Sequence, residues 1–111
     1  MYYLYGIANC DTVKKAKNHL IEKNIEFEFY DFKKKIVTVD MLKRWKEYLG
    51  DWPVNPRGRI FKQLKEQYEK SSEKTKISLM IENTSLIKRP ILERGKTVLA
   101  LGYDLEFYNS L

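Results

Sequence analysis

The chain opens with a short stretch rich in β-forming residues, 2–7, followed by Val13, Ala16, Leu20 and Ile21 at helical spacing with lysines between them. Asn24 suits a left-handed stop after that helix. Residues 25–30 then alternate Ile25, Phe27 and Phe29 with Glu26 and Glu28, the period-two pattern of a half-buried edge strand. Two strands joined by one helix predict a β-α-β unit, parallel and with a right-handed crossover.

The middle of the chain reads as helical. Thr38 is an N-cap, Met41, Leu42, Trp45, Tyr48 and Leu49 form one apolar face, and Gly50 fits just past the helix end. Turn residues 51–58 interrupt, and Ile60, Phe61, Leu64 and Tyr68 line one side of a second helix. A third is predicted over 73–83, burying Ile77, Met80 and Ile81. The period then returns to strand at Pro90, Ile91 and Leu92, with a tight turn over 93–96 and a second strand over 97–101 that is apolar enough to lie centrally in a sheet. A short helix over 104–109 closes the pattern. This order predicts an α/β fold: a single thioredoxin-like (glutaredoxin-like) domain spanning 1–111, with a mixed four-stranded sheet and a helical insertion at about 38–84 between its β-α-β and β-β-α parts.

Composition narrows the class. Of 111 residues 43% are hydrophobic and 32% charged, ordinary values for a globular domain large enough to bury a core. No run approaches the roughly 20 apolar residues of a membrane-spanning helix. The first residues enter a strand without a signal-peptide pattern, so a cytoplasmic location without membrane association is expected. The net charge is +6, and residues 33–70, with eleven Lys or Arg against five Asp or Glu, carry all of it. Such a run is either a set of solvated helix faces or a basic flank that attracts anionic substrates or an acidic partner. No nucleic-acid-binding motif accompanies it, and direct nucleic-acid binding is not expected.

Cys10 is the only cysteine, placed where the first strand gives way to a helix. Unpaired N–H groups and the positive end of the helix dipole favour a thiolate there, which makes Cys10 the candidate catalytic nucleophile. Val13 stands where a Cys-x-x-Cys motif would have its second cysteine, so any redox cycle must take its second thiol from another molecule. Asn9 either hydrogen-bonds near the thiol or only tolerates the turn. His19 lies nine residues further on, about 13 Å along a helix, too far to act as general base. One His and one Cys leave no credible metal site, and no bound cofactor is expected.

Three segments then carry a resemblance: residues 5–16 around Asn9 and Cys10, the loop Asn55-Pro56-Arg57-Gly58, and Ile87-Lys88-Arg89-Pro90-Ile91-Leu92. In order and spacing they resemble the arsenate reductase (ArsC) family, with greatest similarity to its YffB-like branch and a relationship to the Spx-like regulators. The resemblance implies Cys10 as nucleophile, Asn9, Arg57 and Arg89 as substrate- or anion-binding residues, and Pro90 as a structural cis-proline. Guanidinium groups suit that task, because they bind oxyanions and carboxylates through paired hydrogen bonds and help hold a thiolate ionised. Each arginine also has a plainer reading, Arg57 as an anchor of the Pro-rich loop and Arg89 as a surface residue before a strand.

The expected activity is that of a thiol-dependent oxidoreductase, with glutathione or another small thiol as co-substrate, or a glutaredoxin-like protein as partner. A non-enzymatic, Spx-like regulator binding RNA polymerase is the alternative, and arsenate reduction the third reading. The family's arsenate reductases carry a further arginine after the last strand, where this chain has Leu99-Ala100-Leu101-Gly102. Without a second cysteine, control by an internal disulfide is excluded. The chain is expected to be a monomer.

Overall fold

A computed structural model describes all 111 residues. In chain order the elements are β1 (Tyr2–Gly6), α1 (Asp11–Glu22), β2 (Phe27–Asp31), α2 (Val39–Leu49), α3 (Arg59–Glu69), α4 (Glu73–Glu82), a single 3-10 turn (Thr84–Leu86), β3 (Ile91–Arg94), β4 (Thr97–Leu101) and α5 (Leu105–Asn109). They divide into two compact units, Met1–Lys35 with Arg89–Leu111, and Ile36–Lys88.

The first unit is a thioredoxin-like α/β fold whose mixed sheet has the strand order β2-β1-β3-β4. Strands β1 and β2 are parallel, joined through α1, while β1 with β3 and β3 with β4 are antiparallel. Leu4 lies opposite both Phe29 and Leu92, so one face of the sheet presents a continuous apolar row. Val13, Ala16 and Leu20, spaced three and four apart on α1, turn inward, and Leu4, Ala16, Leu20, Leu92 and Tyr108 are fully buried in one cluster. Burial of a leucine side chain stabilises by about 1.5–3 kcal/mol, which makes this cluster the main source of cohesion in the unit.

Asn24 adopts φ 58° and ends α1 in the left-handed conformation. Lys23 Nζ donates to the carbonyls of Asn109 and Leu111 at 2.6 and 3.0 Å, tying α1 to the end of α5.

The hairpin departs from the sequence pattern in two respects. β4 is an edge strand, whereas β3 is central: the short run Ile91–Arg94 pairs on both sides and buries three of its four residues. Glu93, expected in the turn, lies fully buried within β3, because Gly95 at φ 62° lets Gly95 and Lys96 alone reverse the chain. A register shift between Leu92 and Glu93 accompanies it.

In the second unit the Met41 N–H donates to Thr38 Oγ1 at 3.2 Å, capping α2, and Gly50 at φ 87° ends it. Met41, Leu42 and Trp45 are buried, but Tyr48 and Leu49 remain exposed. Helix α3 buries none of its residues fully; Ile60, Phe61, Leu64 and Tyr68 are only half-covered. Ser72 caps α4 through the Thr75 N–H. Leu79 and Met80 are its buried residues, whereas Ile77 and Ile81, expected in the core, are half-exposed. The loop before α3 is held by two backbone hydrogen bonds, Asn55 N–H to the Leu86 carbonyl and Lys88 N–H to the Pro53 carbonyl, both 2.8 Å, which pair Val54 with Ile87 in an isolated antiparallel bridge. No helix is long and apolar enough to cross a membrane.

Candidate active site

The site is built where β1 ends and α1 begins. Cys10 itself is the N-cap residue of α1, with extended backbone angles, and its carbonyl accepts the first helical hydrogen bond from the Lys14 N–H at 2.9 Å. The approach is close: a Cβ at Gly6 would lie 2.7 Å from Val13 Cγ2, so glycine at the end of β1 lets the first turn of α1 sit against the strand.

The thiol is partly exposed and has three polar neighbours. Thr12 Oγ1 lies 3.2 Å from Cys10 Sγ. The Val13 N–H and the Arg89 side chain also interact with the sulfur, and the guanidinium adds its charge. Burial pushes the thiol pKa up, but the Thr12 hydroxyl, the Val13 amide and Arg89 outweigh it and hold the value below that of an ordinary cysteine. Cys10 stands at the N-cap of α1. Ionised, it presents a negative charge to the helix N-terminus, where such charge is favoured.

Arg89 reaches this position through the sheet. The register that places Tyr5 opposite Ile91 brings Pro90 level with Gly6 at the end of β1 and Arg89 just beyond it, at the end of the strand from which the chain runs on to Cys10. The Arg89-Pro90 peptide bond is cis, and the Pro90 carbonyl accepts the Gly102 N–H at 2.7 Å, fixing the segment to the end of β4.

Cys10 and Arg89 therefore meet. Asn9 occupies the exposed turn just before Cys10. Arg57 lies in the second unit, exposed, its N–H donating to Asn55 Oδ1 at 3.1 Å within the Pro-rich loop. His19 is at the far end of α1, its Nδ1 3.0 Å from the Tyr103 hydroxyl.

Thr12 is the site residue that sequence reasoning missed. Its signal was present: a hydroxyl two residues after a helix-capping cysteine stands in the first turn, within reach of whatever side chain occupies the cap.

A mixed four-stranded sheet carrying a cysteine at the start of its first helix, with a cis-proline before its third strand, defines a thioredoxin-like protein with a candidate thiol site. The chain belongs to the ArsC family, whose family model matches residues 5–111. An uncharacterized protein of Haemophilus influenzae is 40% identical over 113 residues, covering 99% of this chain and 97% of its own length. The global transcriptional regulator Spx 2 of Bacillus anthracis is 30% identical over 109 residues, covering 96% of this chain and 82% of the regulator. Among solved structures the YFFB protein superposes with a TM-score of 0.84 at 34% identity, covering 99% of this chain and 97% of that one.

Proposed function

We propose that the protein is a thiol-dependent oxidoreductase in which Cys10 is the nucleophile. The observation that carries this reading is the convergence of the Thr12 hydroxyl, the Val13 amide and the Arg89 guanidinium on one partly exposed sulfur, with the lowered pKa that results. A thiolate attacks one sulfur of a disulfide, a new S–S bond to Cys10 forms, and the other sulfur leaves as thiolate. That leaving thiolate is the reduced product; because the chain has one cysteine, a thiol from another molecule must attack the substrate-derived sulfur of the mixed disulfide, forming a new disulfide with it and regenerating the Cys10 thiolate. Glutathione or another small thiol fits that role, as does a glutaredoxin-like protein.

Arg89, with Asn9, would bind the carboxylate or oxyanion of the incoming substrate. Arsenate is the less favoured oxyanion substrate, because the stretch 99–102 offers no further arginine.

The test is thiol transfer from a mixed disulfide of glutathione, assayed with wild type and Cys10→Ser. Loss of activity with an unchanged fold supports the reading, and retained activity in the variant overturns it.

A second reading rests on the similarity to Spx regulators: a protein that acts by docking on RNA polymerase. It expects a complex with the polymerase that charge reversal at Lys43, Arg44 and Lys46 dissolves, and co-purification without any such complex counts against it.

A further inference from the structure

Helix α4 is apolar on two sides. Leu79 and Met80 are buried, yet Ile77 and Ile81, four residues apart and so one above the other on the helix surface, stay half-exposed on another face. They line a groove of about 420 Å³ with Val39 and Lys43 of α2 and Glu73, Lys74 and Ser78 of α4. Val39 and Lys43 are likewise spaced by four and stand on the face of α2 away from the buried Met41, Leu42 and Trp45. The floor is therefore an apolar strip bounded by two exposed helical rows, a shape that accepts the apolar face of a further helix.

The charges on its rim select the occupant. Elsewhere in this unit lysines beside carboxylates are paired: Lys46 with Glu73 at 3.9 Å, Lys65 with Glu69 at 4.0 Å and Lys70 with Glu66 at 2.8 Å. The first of these joins α2 to α4 and uses the one carboxylate lining the groove. Lys43 on α2 and Lys74 on α4 have no carboxylate partner and stand exposed. We propose that the α2/α4 groove docks an acidic amphipathic helix of a partner protein, its leucine-like residues over Val39, Ile77 and Ile81 and its carboxylates on Lys43 and Lys74. This site is independent of Cys10 and of the thiol chemistry.

The experiment uses the full chain and a synthetic helical peptide of about 14 residues, near the length of α4 plus one turn, with leucines on one face and glutamates flanking them. Fluorescence anisotropy of the labelled peptide gives affinity, and amide chemical shifts locate the site. The expected result is saturable binding with shifts confined to α2 and α4. Binding should be at least about tenfold weaker for the Lys43→Glu/Lys74→Glu variant, and for a peptide carrying lysines in place of its glutamates. A Lys43→Ala/Lys74→Ala variant, which introduces no repulsion, should lose affinity in the same direction, and circular dichroism checks that both variants fold. Equal binding by wild type and variants, shifts centred on α3, no binding at all, or binding of decanoate but not of the peptide would each overturn the proposal.

Discussion

The sheet unit and the helical unit handle apolar side chains differently. In the first, Leu4, Ala16, Leu20, Leu92 and Tyr108 reach zero exposure in one cluster, and the thiol site is mounted at the edge of that packed frame. In the second, α2, α4, the 3-10 turn and Ile87 supply the fully buried side chains, α3 buries none, and eleven Lys or Arg face seven Asp or Glu across residues 36–88. Tight packing gives a rigid frame beneath a reactive group, whereas half-covered helices with surplus positive charge leave surface for another molecule. The difference separates a part of the molecule suited to chemistry from a part suited to contact.

Truncation in the two units tests the contrast most severely. Leu4→Ala or Leu92→Ala should lower the unfolding free energy by about 2–5 kcal/mol, the usual range for buried leucines, whereas Leu64→Ala in α3 should fall well short of that. Urea denaturation of the three variants measures it, and equal losses would break the comparison.

Gly6→Ala comes next, at about 1–3 kcal/mol, because the added methyl meets Val13 at the seat of α1. Its second readout is the alkylation rate of Cys10, which should slow as the first turn of the helix is displaced.

Thr12→Val and Arg89→Gln are smaller in stability but diagnostic in pH. The wild-type alkylation rate should rise with a midpoint below that of an ordinary cysteine, about 8.5, and each substitution should move the midpoint upward. Since the fold favours the ionised sulfur, its contribution to stability is present above the ordinary cysteine pKa and is lost as pH falls through the lowered value. An unmoved midpoint in both variants would remove the polar neighbours from the account.

Tyr108→Phe should have the smallest effect. The Tyr108 hydroxyl is buried without a hydrogen-bond partner, so its removal should be neutral or stabilise by about 1 kcal/mol. Burial and the neighbouring Tyr103 also raise the pKa of this phenol. Stability of the wild type should therefore decline as pH rises past about 10, where the unfolded phenol ionises, and the Phe variant should decline less in thermal melts across that range.

Most of the architecture was legible because local signals agreed. Thr38 and Gly50 bracket α2 as caps, Asn24 stops α1, and the alternation of Phe27 and Phe29 with Glu28 marks an edge strand. The misreadings share one cause: hydrophobicity reports that a side chain is apolar, not which neighbour covers it. β4 reads as central because Val98, Leu99 and Leu101 are apolar, yet pairing, decided at a distance in sequence, gives that place to the shorter β3. Ile77 and Ile81 read as core for the same reason. At the site, the position of Cys10 was visible from the strand-to-helix boundary. Arg89 was indicated by the resemblance alone, since its approach depends on the register between β1 and β3. Thr12 was missed because its role follows from Cys10 taking the cap, which leaves the hydroxyl in the first turn facing the sulfur.

The two outer strands have a consequence for behaviour at high concentration. β2 is five residues long, and Glu26 and Glu28 stand exposed in and beside it, so a second copy laid against this border would bring carboxylates together. β4 is equally short, and the irregular register of its partner β3 increases the local twist of the other border. Neither border offers a long, flat, uncharged template. The sheet terminates itself at four strands, and the fold resists the strand-by-strand aggregation that open sheets invite.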